Sequence, residues 1–202
     1  MAPNLSEDEA DDLIYLARTG DQEELTTSLT SLASRENVSP AEILISAKDE
    51  GKSTCLHMAA ANGHLATVKL LLSHFANRPQ AEKQAFLDAP NEYGNTGLHW
   101  ASLSGHLPVV KLLVESGASV AIANNKEYVP LDLASFNDKV DVVDYFLKQS
   151  GDLENENNES SQGEGLAAAV GDVEMDDGDD VDEKDKKESV SSGSEKEKGG
   201  DR

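Results

Sequence analysis

One motif of about eleven residues recurs along the first 150 residues of this chain, and this internal repeat constrains the fold more than any other feature. Two complete copies span 54–64 and 96–106, and both place Thr, Leu, His, Ala, Gly and His at equivalent positions. A third copy spans 129–139, and a degenerate first copy spans 13–21. Such a repeat buries its apolar face only by stacking on its neighbours, so the sequence predicts a solenoid.

The spacing of the copies indicates where the chain carries additional helix. Gly20 and Gly63 lie 43 residues apart, Gly63 and Gly105 lie 42 apart, and the equivalent Asp138 follows after 33. About ten residues are therefore inserted after each of the first two copies. We predict four repeats and two helical insertions. The repeats lie near 7–35, 49–77, 91–120 and 124–150, and the insertions span 36–48 and 78–90.

Helix-start signals support this division. Ser39, Pro40 and Glu42 supply an N-cap serine, a proline at the first helical position and a glutamate at the third, which predicts a helix running to about residue 48. Ser6 and Glu9 form the same capping pattern and predict that the first helix begins near residue 7.

The repeated residues resemble the ankyrin repeat, whose period is about 33 residues and whose signature is T-P-L-H-x-A. Thr54 and Thr96 stand at the N-cap position, where a hydroxyl can satisfy a helix amide. His57 and His99 resemble the family histidine that bonds backbone between neighbouring repeats, and Gly63 can end the short helix in a left-handed conformation. The resemblance implies an all-α solenoid of about four helix-turn-helix repeats joined by short hairpin loops.

Charge separates this repeat domain, residues 1–150, from the remainder of the chain. The protein carries 39 acidic and 17 basic residues, and 151–202 alone has a net charge of −12 and no aromatic residue. Such a segment buries too little apolar area to offset the entropy of ordering, so we predict that 151–202 is a disordered acidic tail. A net charge of −22 argues against nucleic acid and anionic membranes as partners, and favours a basic partner or simple solubility.

Several function classes find no support in the sequence. A single cysteine, Cys55, excludes an internal disulfide, and no apolar run is long enough to span a membrane. The first residues lack the basic start and apolar core of a signal peptide, so we expect a soluble intracellular protein. Four of the five histidines occupy repeat positions, and no catalytic, metal or cofactor motif remains. We therefore expect no enzyme activity and no cofactor.

The candidate binding residues lie at the hairpin tips and on the first helices, which line the concave surface of such a stack. Aromatic anchors beside acids suit a basic amphipathic helix lying in the groove. The alternative is that the tip aromatics only brace neighbouring hairpins. The candidate set comprises Arg18, Asp49, Glu50, Asn62, Glu92, Tyr93, Asn95, Trp100, Leu103, Lys126, Tyr128 and Phe136.

A closer resemblance involves 56–64, 94–103, both insertions, the run 124–126 and the acidic tail. Together these are similar to the fungal ankyrin-repeat chaperones dedicated to ribosomal protein S three, a KH-domain protein of the small ribosomal subunit. The resemblance implies that the repeats bind the N-terminal region of this newly made basic client. It also implies that the protein keeps the client soluble and accompanies it from cytoplasm to nucleus for ribosome biogenesis.

One departure from that family concerns the fourth hairpin, where Glu127 and Tyr128 stand in place of a glycine-containing turn. This substitution puts the contribution of the last hairpin in question. We expect a monomer before the client binds.

Two other function classes remain open from the residues themselves. A histone chaperone would use the same acidic tail, and it predicts binding to core histones. A signalling or transcription adaptor would use the same repeats, and it predicts salt-resistant binding to a folded domain.

Overall fold

The computed structural model describes residues 3–160, with side-chain surroundings for residues 3–150. This part of the chain contains ten α-helices and no strand, which confirms the all-α fold class. The helices are α1 (Glu7–Thr19), α2 (Gln22–Glu36), α3 (Pro40–Ser46), α4 (Cys55–Ala61), α5 (Leu65–Ser73), α6 (Gln80–Leu87), α7 (Gly97–Ser104), α8 (Leu107–Glu115), α9 (Pro130–Phe136) and α10 (Val140–Ser160).

The predicted capping boxes open the helices as expected. The Ser6 amide donates to the Glu9 carboxylate at 3.0 Å, and the Glu9 amide donates to the Ser6 hydroxyl at 3.2 Å. Ser39 and Glu42 make the same reciprocal pair at the start of α3, with Pro40 at the first helical position. Local sequence therefore sets where α1 and α3 begin, although α3 ends at Ser46, two residues before the predicted position.

The helices form two layers. The first helices of the repeats, α1, α4, α7 and α9, contact one another in chain order, and the second helices, α2, α5, α8 and α10, lie behind them. Fully buried aliphatic side chains fill the space between the layers, among them Leu13, Leu25, Leu56, Leu71, Leu98 and Leu113. Each repeat thus contributes to one continuous core, as stacking requires.

Glycines at the ends of the first helices allow the repeats to approach closely. Gly63 has φ +73°, and a Cβ there would lie 2.6 Å from Nδ1 of His106. The His106 ring covers this glycine, and its Nε2 donates to the Ala61 carbonyl at 3.1 Å. In the last repeat Asp138 takes the glycine position at φ +54°, and no repeat follows it within the described residues.

Both insertions are structural. Helix α3 buries Ile43 and Leu44 completely, so the first insertion extends the core. In the second insertion Phe86 of α6 stacks on Phe75, with ring centroids 4.4 Å apart. The Asp88 carboxylate then accepts hydrogen bonds from the amide and hydroxyl of Ser119, at 2.9 and 2.6 Å, and so fastens the loop that follows α8.

The last helix, α10, begins in the fourth repeat and continues to Ser160. The boundary between repeat domain and tail at residue 150 stays a prediction. Residues 161–202, which hold most of the predicted acidic tail, lie outside the described residues, and their disorder stays a prediction. Within the described part of the chain, no helix combines the length and the apolar character needed to cross a membrane.

Candidate functional site

Three hairpin tips share one turn; they belong to the second, third and fourth repeats and are called the second tip (49–53), the third tip (91–95) and the fourth tip (124–128). The side-chain oxygen of the first residue accepts the amide of the fifth: Asp49 from Ser53 at 2.7 Å, Asn91 from Asn95 at 3.0 Å, Asn124 from Tyr128 at 3.1 Å. The fourth residue is left-handed in every tip, namely Lys52 (φ +60°), Gly94 (φ +76°) and Glu127 (φ +64°). The fourth hairpin therefore keeps the shared turn although it lacks the glycine typical of the family.

Hydrogen bonds join successive tips into a ladder. The Glu92 amide donates to the Gly51 carbonyl at 2.8 Å, and the Asn125 amide donates to the Tyr93 carbonyl at 3.0 Å. The Asn125 side chain adds a second bond between the third and fourth tips, donating to the Glu92 carbonyl at 2.8 Å. The tips therefore present a preorganised edge, which reduces the entropy lost when a partner binds.

The motif histidines connect the first helices to these tips. The Thr54 amide donates to Nδ1 of His57 at 3.1 Å, and the Thr54 hydroxyl lies 2.9 Å from the same nitrogen. Because Nδ1 accepts, Nε2 carries the proton and donates to the Asn95 carbonyl of the next repeat at 2.8 Å. His99 repeats this arrangement toward the Tyr128 carbonyl at 3.0 Å. The predicted bonding of the motif histidines between repeats is confirmed, whereas the threonine hydroxyls face the imidazoles rather than helix amides.

Burial keeps both motif histidines neutral. His57 and His99 are almost completely inaccessible to solvent, and this desolvation lowers the pKa of each imidazole below its ordinary value. Both side chains therefore act as structural links rather than as acids or bases.

Five of the predicted site residues surround one surface cavity of about 260 Å³ between the third and fourth tips. We call it the tip pocket. Its walls are mainly apolar and its rim carries amides and one ammonium group. The predicted residues that line it are Tyr93, Asn95, Leu103, Lys126 and Tyr128. The other lining residues are Asn124, Asn125 and Leu133.

Phe136 lies beside the tip pocket and braces one of its walls. Its ring meets that of Tyr128 edge to face, with centroids 5.0 Å apart, while Phe136 itself stays 62% exposed. This contact fits the bracing interpretation of the tip aromatics, and their role in recognition stays a prediction. Tyr128 is supported by a neighbour and still faces the cavity.

The predicted acids flank this pocket on the side of the second tip. Glu50 and Glu92 are exposed, and Asp49 is half-buried because its carboxylate holds the turn. The Glu92 carboxylate, hydrogen-bonded to the neighbouring phenol, raises the pKa of Tyr93 above its ordinary value. Asp49 is thus first a turn residue, whereas Glu50 and Glu92 are free to meet a basic partner.

Arg18 and Asn62 lie outside the tip pocket. Both are exposed near the ends of first helices, Arg18 on α1 and Asn62 after α4. The Arg18 carbonyl accepts from Nε2 of His64 at 2.9 Å, and the Asn62 amide donates to the Met58 carbonyl at 2.8 Å.

A row of large apolar residues crosses all four first helices, and the predicted site set contains only one of its four members, Trp100. Trp100 lies five positions before its repeat glycine, and the equivalent residues are Tyr15, Met58 and Leu133. Tyr15 is 62% exposed and the other three are half-buried. Because equivalent positions on stacked helices are neighbours, these four residues form a continuous inner row. Aligning the copies on their glycines would have found Tyr15 and Met58.

The side chains that could bind a metal ion lie apart from one another in the described residues, and the single cysteine is buried. No group of three or more His, Cys, Asp or Glu side chains is placed to hold a metal ion there. Cys55 is fully buried, and desolvation raises the pKa of its thiol to about 12, so it is not a nucleophile at neutral pH. What the arrangement offers is a grooved surface for binding a protein segment.

This architecture matches a known family of repeat proteins. The family model described as ankyrin repeats (3 copies) matches residues 10–124 and 80–158. Ankyrin repeat-containing protein YAR1 of Saccharomyces cerevisiae is 38% identical over 78 residues, which are 39% of this chain. In that match the chain spans about a third (36%) of the length of YAR1.

A solved structure extends this similarity to nearly a whole chain. The crystal structure of the yeast ribosomal protein Rps3 in complex with its chaperone Yar1 contains a chain that is 40% identical to this one, with a TM-score of 0.67. The match covers 72% of this chain and 95% of that chain. With its matching family model, its four stacked repeats and this relative, the protein belongs to the ankyrin-repeat family.

Proposed function

We propose that this protein is a dedicated chaperone that binds newly made ribosomal protein S three, the Rps3 of yeast. It keeps this basic client soluble and delivers it for assembly of the small ribosomal subunit. The observation that carries the proposal is the 40% identity over 95% of a chain solved in the complex of Rps3 with its chaperone Yar1.

The chemistry of the concave surface supports a basic client. Residues 1–150 carry a net charge of −10, and Glu50 and Glu92 project from adjacent tips. The inner row and the tip pocket supply apolar area beside these acids. A basic amphipathic segment can thus bury its apolar face against the first helices while its charged flanks meet the acidic tips.

The finer features of the mechanism belong to the same proposal. The repeats bind the N-terminal region of the client as a 1:1 complex, starting from a monomer, without catalysis or cofactor. The acidic tail attracts the RNA-binding surface of the client, which raises the association rate and keeps nucleic acid away. The protein works in the cytoplasm and the nucleus, because the client is made in one compartment and assembled in the other.

An aggregation assay tests this function directly. Purified yeast Rps3 is diluted from denaturant into buffer of about 150 mM salt, with or without one equivalent of this protein, and light scattering is recorded. We expect scattering to be suppressed at equimolar ratio. A core histone under the same conditions is the control, since an unspecific acidic chaperone protects both clients equally. Equal protection of both clients, or none of Rps3, contradicts the proposal.

A further inference from the structure

The tip pocket is large enough to hold a whole side chain. Its volume is about 260 Å³, compared with the cavity of about 150 Å³ that binds benzene in an engineered protein core. Leu103 and Leu133 come from adjacent first helices, and Tyr93 and Tyr128 come from adjacent tips. The pocket therefore lies at the junction of the third and fourth repeats and needs both of them.

The surrounding contacts hold the pocket open in the free protein. The Asn124 amide donates to the Asn95 side-chain oxygen at 2.7 Å, and the Asn125 amide donates to the Tyr93 carbonyl at 3.0 Å. The Phe136 ring meets the Tyr128 ring edge to face and supports it. A preformed pocket of this kind favours one buried anchor residue in the partner, because few groups lose freedom on binding.

Charge is distributed unevenly around the pocket. Glu50 and Glu92 lie on the side of the second tip, whereas Lys126 lies on the rim formed by the fourth tip. The ion pairs formed among the described residues do not involve Lys126. Glu127 is exposed beside Lys126, so the surface changes across the pocket from acidic at the second and third tips to charge-balanced at the fourth, where Lys126 is the cation that lines the pocket.

We propose that the tip pocket receives one large apolar side chain of the client segment, and that Lys126 pairs with a carboxylate on the same segment. The pocket then fixes the register of the segment, and the change of charge fixes its direction, with basic residues over Glu50 and Glu92. The proposal rests on the proposed function, because it assigns the anchor point within the same site.

A double-mutant cycle tests the pocket. The probe is a set of peptides covering the N-terminal region of yeast Rps3, in which each apolar residue is changed to Ala in turn. Binding to the full-length protein is measured by calorimetry, and Leu103→Ala and Tyr93→Ala are compared with Leu147→Ala. Leu147 is the matched control, because it is a large apolar residue, 57% exposed, on the second helix α10 and outside both the tip pocket and the inner row.

We expect one peptide position to lose about tenfold in affinity for the wild-type protein on truncation to Ala. That loss should shrink to about twofold or less in both pocket variants, and persist in Leu147→Ala, because only groups in contact are coupled. Tyr93→Ala keeps the test valid if Leu103→Ala weakens the fold, since Tyr93 is exposed.

A charge exchange tests the direction. We expect Lys126→Glu to weaken binding of the wild-type peptide about tenfold, and a peptide with one acidic residue changed to Lys to recover it. Lys69→Glu, at an exposed position on α5, makes the same change of charge away from the pocket and should alter affinity by about twofold or less.

The outcomes separate the two proposals. In one outcome the wild-type protein binds Rps3 and its peptides, but every truncation of the peptide has the same effect on the pocket variants as on the wild type. This result overturns the anchor assignment and leaves the proposed function standing. If no acidic position couples to Lys126, the assigned direction is overturned. If the wild-type protein binds neither Rps3 nor any peptide, the proposed function fails, and the anchor assignment fails with it.

Discussion

Replacing Gly94 by Ala is the sharpest test of how the repeats are joined. Gly94 is left-handed at φ +76°, and a Cβ there would lie 2.6 Å from the side-chain oxygen and 2.8 Å from the backbone nitrogen of Asn125. Since backbone cannot move aside as a flexible side chain can, the third and fourth tips must separate. The two bonds from Asn125 to the third tip, at 3.0 and 2.8 Å, are then lost.

The expected loss of stability is the sum of a backbone conformational cost and the cost of the two lost hydrogen bonds. A non-glycine residue in the left-handed region costs about 1–2 kcal/mol, and each lost hydrogen bond costs about 1 kcal/mol. Gly94→Ala should therefore lower the free energy of unfolding by about 3–4 kcal/mol. Gly117→Ala is the matched control, because Gly117 has φ +101° and its nearest neighbour to a new Cβ is 3.6 Å away. We expect only the conformational cost of about 1–2 kcal/mol there.

Urea unfolding at 25 °C, followed by circular dichroism and by the fluorescence of Trp100, measures both changes. Trp100 is the single tryptophan and lies on α7, next to the third tip. Equal destabilisation by the two substitutions would refute the reasoning, since the close approach of the tips would then contribute nothing. A full loss of affinity for Rps3 in Gly94→Ala, with Gly117→Ala unaffected, would further connect the tip junction to binding.

Four further predictions concern stability, binding and the tail, and each has its own measurement. Because burial lowers the pKa of His57 and His99, protonation of these imidazoles favours the unfolded state. The free energy of unfolding should be highest above about pH 7 and fall toward pH 5, by up to about 1.4 kcal/mol per pH unit for each histidine. Urea midpoints measured across that pH range check this. Glu92→Lys should weaken Rps3 binding by about 1–3 kcal/mol in calorimetry without changing the melting temperature, and an unchanged affinity would remove Glu92 from the site. Asp88→Ala should lower the unfolding free energy by about 2 kcal/mol through the two bonds it accepts from the loop after α8, with affinity for Rps3 retained. Deletion of 161–202 should slow association with Rps3 at low salt in stopped-flow kinetics and leave high-salt affinity intact; loss of all binding would assign recognition to the tail.

Much of the fold follows from local sequence in this protein. The repeat register placed the helices, and the capping pairs at Ser6 and Ser39 marked two helix starts, because each depends on side chains only three residues apart. The end of α10 could not be read in this way. The helix continues to Ser160, and composition does not mark where a helix stops.

The site was only partly accessible to sequence reasoning. Tyr93 and Tyr128 were predicted from their register at the tips, yet their junction in one cavity depends on bonds between tips 29 to 33 residues apart. Tyr15 was missed because the first repeat is degenerate and its helix was read for packing alone. Long-range contacts of this kind depend on how closely two repeats approach, which no single motif encodes.

Calorimetric titration of the full chain with the N-terminal region of Rps3 tests the central claim most directly. The titration is run at about 150 mM and about 500 mM salt, with a core histone as comparator, because screening weakens exposed charge pairs far more than apolar contacts. The proposed function predicts 1:1 binding of the Rps3 region that persists at high salt, while any histone signal fades. Absence of binding, or equal salt-sensitive binding of both proteins, would contradict it.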